Sequence, residues 1–116
     1  MKKFLAVYMG SAAAIGKWKT MDEEKRKQKE KAGIEAWHQW VAKNKASIVD
    51  TGTPLGKTKR ISRKGIADTK NDLTAYTIVE AESHEAAAKL FEKHPHFMIF
   101  PGDSVEIMEC MAIPKM

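Results

Sequence analysis

Cys110 is the only cysteine, so no disulfide can close within this chain of 116 residues. A single thiol at an apparent strand position is expected to be buried and inert, and a reducing cytoplasm fits that usage. Long apolar runs are missing as well. Nothing approaches the roughly 18 consecutive apolar residues of a membrane helix. Lys2-Lys3, the run Phe4 to Met9 and the small residues after it have the outline of a secretory signal. The run is shorter than the usual ~7 to 15 residues of such a segment, and a β-strand is the expected reading. Aromatic residues make up only 8% of the chain. None of them stands in the two basic stretches, Lys25 to Lys31 and Lys57, Lys59, Arg60, Arg63 and Lys64. Single-stranded nucleic acid is held by stacking as well as charge, so nucleic-acid binding is the least favoured reading of the +5 net charge. Solvated basic faces are the plainer account.

Several catalytic signatures are also missing. There is no nucleophile elbow and no dinucleotide fingerprint. The segment Gly10-SAAAI-Gly16-Lys17 resembles a phosphate loop but fails in detail. Five residues separate its glycines instead of four, and Trp18 stands where a magnesium-binding hydroxyl is needed. No cofactor is implied. His94, His96, Asp103 and Glu106 are donor types that suit a transition metal. His94-x-His96 in one turn is a poor template for two ligands, so no metal site is expected. His94 is expected instead to close a helix, where its charge would suit the negative end of the dipole.

What is present has a regular order. Lys3 to Met9 reads as a strand with Phe4, Ala6 and Tyr8 on one face and Leu5, Val7 and Met9 on the other. Gly10 to Lys19 reads as a loop of small residues. Thr20 and Glu23 have the spacing of a capping box opening a long helix, with Glu23 to Lys27 a favourable pair one turn on. Gly33, Ile34, Trp37, Trp40 and Val41 then form an apolar stripe at helical spacing, with His38 at its margin. Both tryptophans are expected in the core, and Trp37 is also a candidate ligand contact.

Ile48 to Asp50 reads as a short strand and Thr51 to Gly56 as a bend or bulge. Lys57 to Ser62 then continues as an exposed edge strand, and Gly65 to Asp72 as polar turn material. Leu73 to Ala81 is rich in β-branched and aromatic residues, as a strand should be. Ser83 caps a second helix whose buried stripe is Ala87, Leu90 and Phe91, and Pro95 stops it near His94. Ser104 to Met111 is the last strand.

The pattern βαββαβ predicts an α+β, ferredoxin-like fold, with residues 1–116 as one domain. Two helices can cover only one face of such a sheet. The first and last strands nevertheless offer apolar side chains to both faces, so a homodimer joined through the sheet faces is expected.

The order of motifs resembles the YCII-related family of the dimeric α/β-barrel group. The resemblance is carried by Tyr8 at the end of the first strand, spaced Trp37 and Trp40, and the turn VDTGTPLG from Val49 to Gly56. It continues with the run from Tyr76 to Ser83, then Pro95-His96, then VEIMECM in the last strand. It implies a small pocket between sheet and helices and a His/Asp pair near the first helix and second strand. His38 and Asp50 are the nearest analogues of that pair. A carboxylate that orients an imidazole makes a serviceable acid–base unit, so these two are the catalytic candidates. The plainer alternative makes His38 a helix-margin residue and leaves Asp50 bonding its own turn. Tyr8, Trp37 and His96 are the candidate substrate contacts. The expected activity is binding or transformation of a small organic molecule. A non-catalytic ligand-binding or interaction module is the alternative.

Overall fold

The computed structural model describes residues 1–114. Its main sheet has four antiparallel strands: β1 (Lys2–Met9), β2 (Ile48–Asp50), β5 (Leu73–Ala81) and β6 (Ser104–Glu109), in the order β2-β5-β1-β6. This is the α+β, ferredoxin-like arrangement. β1 lies between β5 and β6, with Phe4 opposite Val79 and Glu109, and Tyr8 opposite Ala75 and Val105. Strand alternation therefore sends Phe4, Ala6 and Tyr8 to one face together with Thr77 and Val79. That face carries the core. Phe4, Ala6, Tyr8, Val79 and Ala81 pack against Trp40, Ala87 and Phe91. Phe4, with no exposed surface, contributes about 1.5 to 3 kcal/mol of apolar burial.

The opposite face has a different character. Leu5, Val7, Met9, Ile78 and Met108 fall on it by alternation, and none of them belongs to the core cluster. Among the described residues, no helix is long and apolar enough to cross a membrane.

Among the described residues four α-helices follow from local chemistry, and two of them depart from expectation. Gly10 to Lys19 is not a loop: Ser11 caps α1 (Ala12–Thr20) by accepting from Ala14 N at 3.2 Å. Three consecutive alanines then propagate the helix. Thr20 consequently ends a helix instead of opening one, and its hydroxyl donates to the Lys17 carbonyl at 2.8 Å. Asp22 occupies the cap of α2 (Glu23–Lys43), and the Glu23–Lys27 pair forms at 3.4 Å. Trp40 is in the core, where its indole N–H donates to Leu90 O at 2.7 Å. Trp37 is only half-buried.

Ser83 caps α3 (His84–Lys89), accepting from Ala86 N at 3.1 Å. Lys93 takes a left-handed conformation (φ 55°) that breaks the chain direction after it. His94 then caps a further short helix, α4 (Pro95–Met98), with Pro95 at its first position. His94 thus opens a helix, contrary to the expectation that it closes one.

The segment between β2 and β5 also differs from the reading of one bent strand. Gly52 has φ +71°, and a side chain there would run into the Tyr76 carbonyl, so the chain bulges at this glycine. Pro54 bridges to Ala75, and the backbone then leaves the main sheet. β3 (Thr58–Ser62) pairs only with β4 (Gly65–Thr69), in a separate two-stranded hairpin. Gly65 to Thr69 is therefore strand and not turn. Cys110 lies just beyond β6 and is exposed, which corrects the expectation of a buried thiol.

Candidate functional site

A cleft of about 450 Å³ opens between the end of the sheet and the helices. Tyr8 comes from β1, and Ala75, Tyr76 and Thr77 come from β5. Ile34, Trp37 and His38 come from α2, His94 and His96 from the α4 turn, and Phe100 from the loop after it. Thr51 to Pro54, the bulged segment, form the remaining edge. The lining is mainly apolar, and the size falls in the ~300 to 1,000 Å³ range of small-molecule sites.

Packing explains how α2 reaches it. Phe100 sits directly on Gly33, where an added Cβ would lie 2.5–2.9 Å from the ring. On its other side Phe100 approaches Trp18 of α1, at 6.2 Å between ring centroids. One turn after Gly33, Trp37 and His38 present neighbouring rings 5.4 Å apart.

The polar groups form two hydrogen-bonded sets. Thr77 donates its hydroxyl to the Thr51 carbonyl at 3.0 Å. Its single proton is thereby used, so in the 2.7 Å contact with Tyr8 the phenol must donate. Burial pushes the Tyr8 pKa up to about 12, and the bond to Thr77 only partly offsets this. Tyr8 is therefore a neutral phenol at all ordinary pH.

The second set is a histidine pair. His94 Nδ1 accepts the His96 backbone N–H at 3.0 Å, which places the His94 hydrogen on Nε2. That nitrogen has no hydrogen-bond partner among the described residues. The ring sits among Tyr8, Trp40 and Phe91, with centroids 5.1, 4.6 and 5.7 Å away. Burial pulls the His94 pKa down to about 4, and the neighbouring His96 adds to the fall. His96 Nε2 lies 2.8 Å from the Met9 carbonyl. A carbonyl oxygen only accepts, so Nε2 carries the hydrogen and Nδ1 is the unprotonated nitrogen. The His96 pKa is lowered by burial, against the opposing pull of that carbonyl and of the Asp103 carboxylate.

Tyr8, Trp37, His38 and His96 thus come together in one cleft. Asp50 is placed differently. It is exposed, its carboxylate accepts from Gly52 N at 2.8 Å, and it does not line the cleft that His38 lines. It shapes the bulge that carries Thr51 to Pro54. Among the described residues no three His, Cys, Asp or Glu side chains converge as a metal set. Glu106 lies on β6, and Asp103 accepts from Ser11 N at 2.6 Å.

Many of the lining residues are not among the contacts expected from the sequence, and Thr77, His94 and Phe100 are the instructive ones. Thr77 could have been found from strand alternation, since it shares the face and register position of Ala6 beside Tyr8. His94 carried a signal in the proline after it, which marks a helix start. Phe100 carried none, because its place depends on a glycine far away in sequence.

No protein-family model matches the chain, and no curated protein matches it. Among solved structures, the chain is similar to 5-chloro-2-hydroxyhydroquinone dehydrochlorinase (TftG) from Burkholderia phenoliruptrix AC1100, solved in complex with 2,5-dihydroxybenzoquinone. The two chains are 16% identical over 94% of this one and 93% of that one, with a TM-score of 0.54. At that identity the likeness establishes the shared fold.

Proposed function

We propose that this chain is a YCII-related-like protein whose cleft binds a small, flat, oxygenated ring compound and transforms it by histidine acid–base chemistry. One observation carries the reading: an apolar slot of about 450 Å³ has aromatic walls from Trp37, Tyr8 and Phe100, and its only titratable groups of near-neutral type are histidines. Flat aromatic walls suit a flat ligand, and imidazoles suit proton transfer near pH 7. The similar structure was solved with a dihydroxybenzoquinone, which fits this ligand class. Asp50 supports the edge of the slot, and His38 is a second acid–base group on its wall. A cytoplasmic setting is consistent with the lone cysteine.

The reading extends to assembly. A second copy is proposed to cover the apolar sheet face that carries Leu5, Val7 and Met108, completing a dimeric α/β barrel. The alternative, a binding module without turnover, shares the slot and differs only in chemistry.

Titration with 2,5-dihydroxybenzoquinone tests the slot directly. We expect saturable quenching of tryptophan fluorescence, largely lost in Trp37→Phe and retained in Trp18→Phe. Unsaturable quenching, equal in both variants, would sink the reading. Turnover of hydroxylated hydroquinones by the wild type would separate the enzyme from the plain binder.

A further inference from the structure

We propose that His96 Nδ1 is the proton acceptor of the cleft, taking the hydrogen of an enolic or phenolic hydroxyl on a flat conjugated ligand. This rests on the reading of the cleft given above, and it assigns the base to a residue outside the His38/Asp50 pair.

The argument is geometric. Of the cleft histidines, His94 has Nδ1 occupied by the His96 N–H, and its Nε2 already bears hydrogen, so it has no lone pair to offer. His38 is exposed, and neither of its ring nitrogens is held by a partner among the described residues, so its tautomer is not set. His96 differs from both. Its Nε2–H is spent on the Met9 carbonyl at 2.8 Å, which leaves Nδ1 as a lone pair of defined position. The ring cannot easily turn. Gly102 packs so closely on it that a side chain there would strike the imidazole, and Tyr8 lies on another side, 5.2 Å between centroids. A preset base of this kind spends no free energy on orientation when the ligand arrives.

Three groups face the imidazole from the elements packed around it. Tyr8 on β1 is a neutral phenol, His94 at the α4 cap is a neutral imidazole, and Asp103 before β6 supplies the carboxylate among the described residues. The transfer balances with nothing added. The ligand O–H bond breaks, the Nδ1–H bond forms, and the electron pair stays on oxygen, spread into the conjugated carbonyl. The resulting imidazolium keeps its bond to Met9 O and gains attraction to Asp103. Its proton then returns to a ring carbon of the same ligand, or passes to water. Because burial makes His96 a weak base, it serves acidic hydroxyls of the enol and nitrophenol type better than aliphatic alcohols.

The test uses the full chain labelled with ¹⁵N-histidine and 4-nitrophenol as probe, whose absorbance distinguishes phenol from phenolate. We expect His96 to show an unprotonated Nδ1 and a protonated Nε2 in the free protein. Below the phenol's own pKa, saturation should raise the phenolate band and protonate Nδ1. His96→Gln, which retains an amide donor for the Met9 carbonyl, should bind the probe but lower bound phenolate by about tenfold or more, one pKa unit of lost proton affinity. A free-state Nδ1–H tautomer would overturn the assignment even without any variant. So would binding that leaves His96 unchanged, or a phenolate band lost in His38→Gln but kept in His96→Gln. Absence of saturable binding by the wild type would sink the reading of the cleft and this assignment with it.

Discussion

At the scale of single residues, the two tryptophans of α2 have separate jobs despite sharing a stripe. Trp40 is 9% exposed and hydrogen-bonded to Leu90, so Trp40→Ala should cost about 3 to 5 kcal/mol in denaturant unfolding. Trp37→Ala should cost clearly less, because that side chain is less buried than Trp40 and lines the cleft. Equal losses would mean that Trp37 is a core residue after all. His94 makes a second prediction, about pH. Its folded pKa is about 4 against 6.5 for an unperturbed histidine, so the unfolded chain takes up the proton first as pH falls. The stability contributed by neutral His94 is complete above about pH 6.5 and drains away toward pH 4. The loss should be on the order of 3 kcal/mol, with His96 acting in the same direction. His94→Leu should flatten the slope of stability against pH in that window. An unchanged slope would show that other groups produce it.

At the scale of elements, the sequence was readable wherever residue type or periodicity had something to report. β1 carries an uninterrupted apolar run and β5 is rich in β-branched and aromatic residues, Ser83 announces α3, and the stripe from Gly33 to Val41 shows which face of α2 turns inward. α1 was missed because its alanines have no apolar side to display, although Ser11 stood in the capping position. β4 was missed for a related reason. All but one of its residues are exposed, and a strand wet on both faces has no period to detect. The cleft was half legible. Tyr8, Trp37, His38 and His96 could be chosen by chemistry, but their convergence is a product of topology, and Asp50 shows that chemistry alone over-selects. The β3–β4 hairpin carries its own prediction. Its cross-strand pair Ile61 and Ile66 is 77% and 70% exposed, so it contributes little to the body of the fold. Replacing residues 58–69 by a short Gly-Ser link should change stability by no more than about 1 kcal/mol. A larger loss would reveal a contact that the hairpin makes with something else.

At the scale of the molecule, the sheet has one face packed under helices and another that carries Leu5, Val7 and Met108, with Met108 44% exposed and Val7 only 7%. Light scattering should therefore report twice the 13.0 kDa chain mass at micromolar concentration. Val7→Asp should either return the protein to that single-chain mass or unfold it, because Val7 is only 7% exposed within one chain. A wild type that scatters as 13.0 kDa would refute the dimer. So would a Val7→Asp protein that is folded and still double in mass.

The Met9 carbonyl has a consequence of a different kind. It accepts both the His96 ring hydrogen and the Asp103 amide, the latter at 2.8 Å, at the point where β1 shifts register against β5. Every amino acid carries that oxygen, so no substitution at position 9 can delete it. Heredity can alter it only by moving the strand: an insertion in β1, a lost bulge, a different bend. The instruction that tells His96 where to keep its proton is thus written in backbone path and not in residue identity. Two descendants could share every histidine and differ in reactivity, or share almost no side chains and keep it.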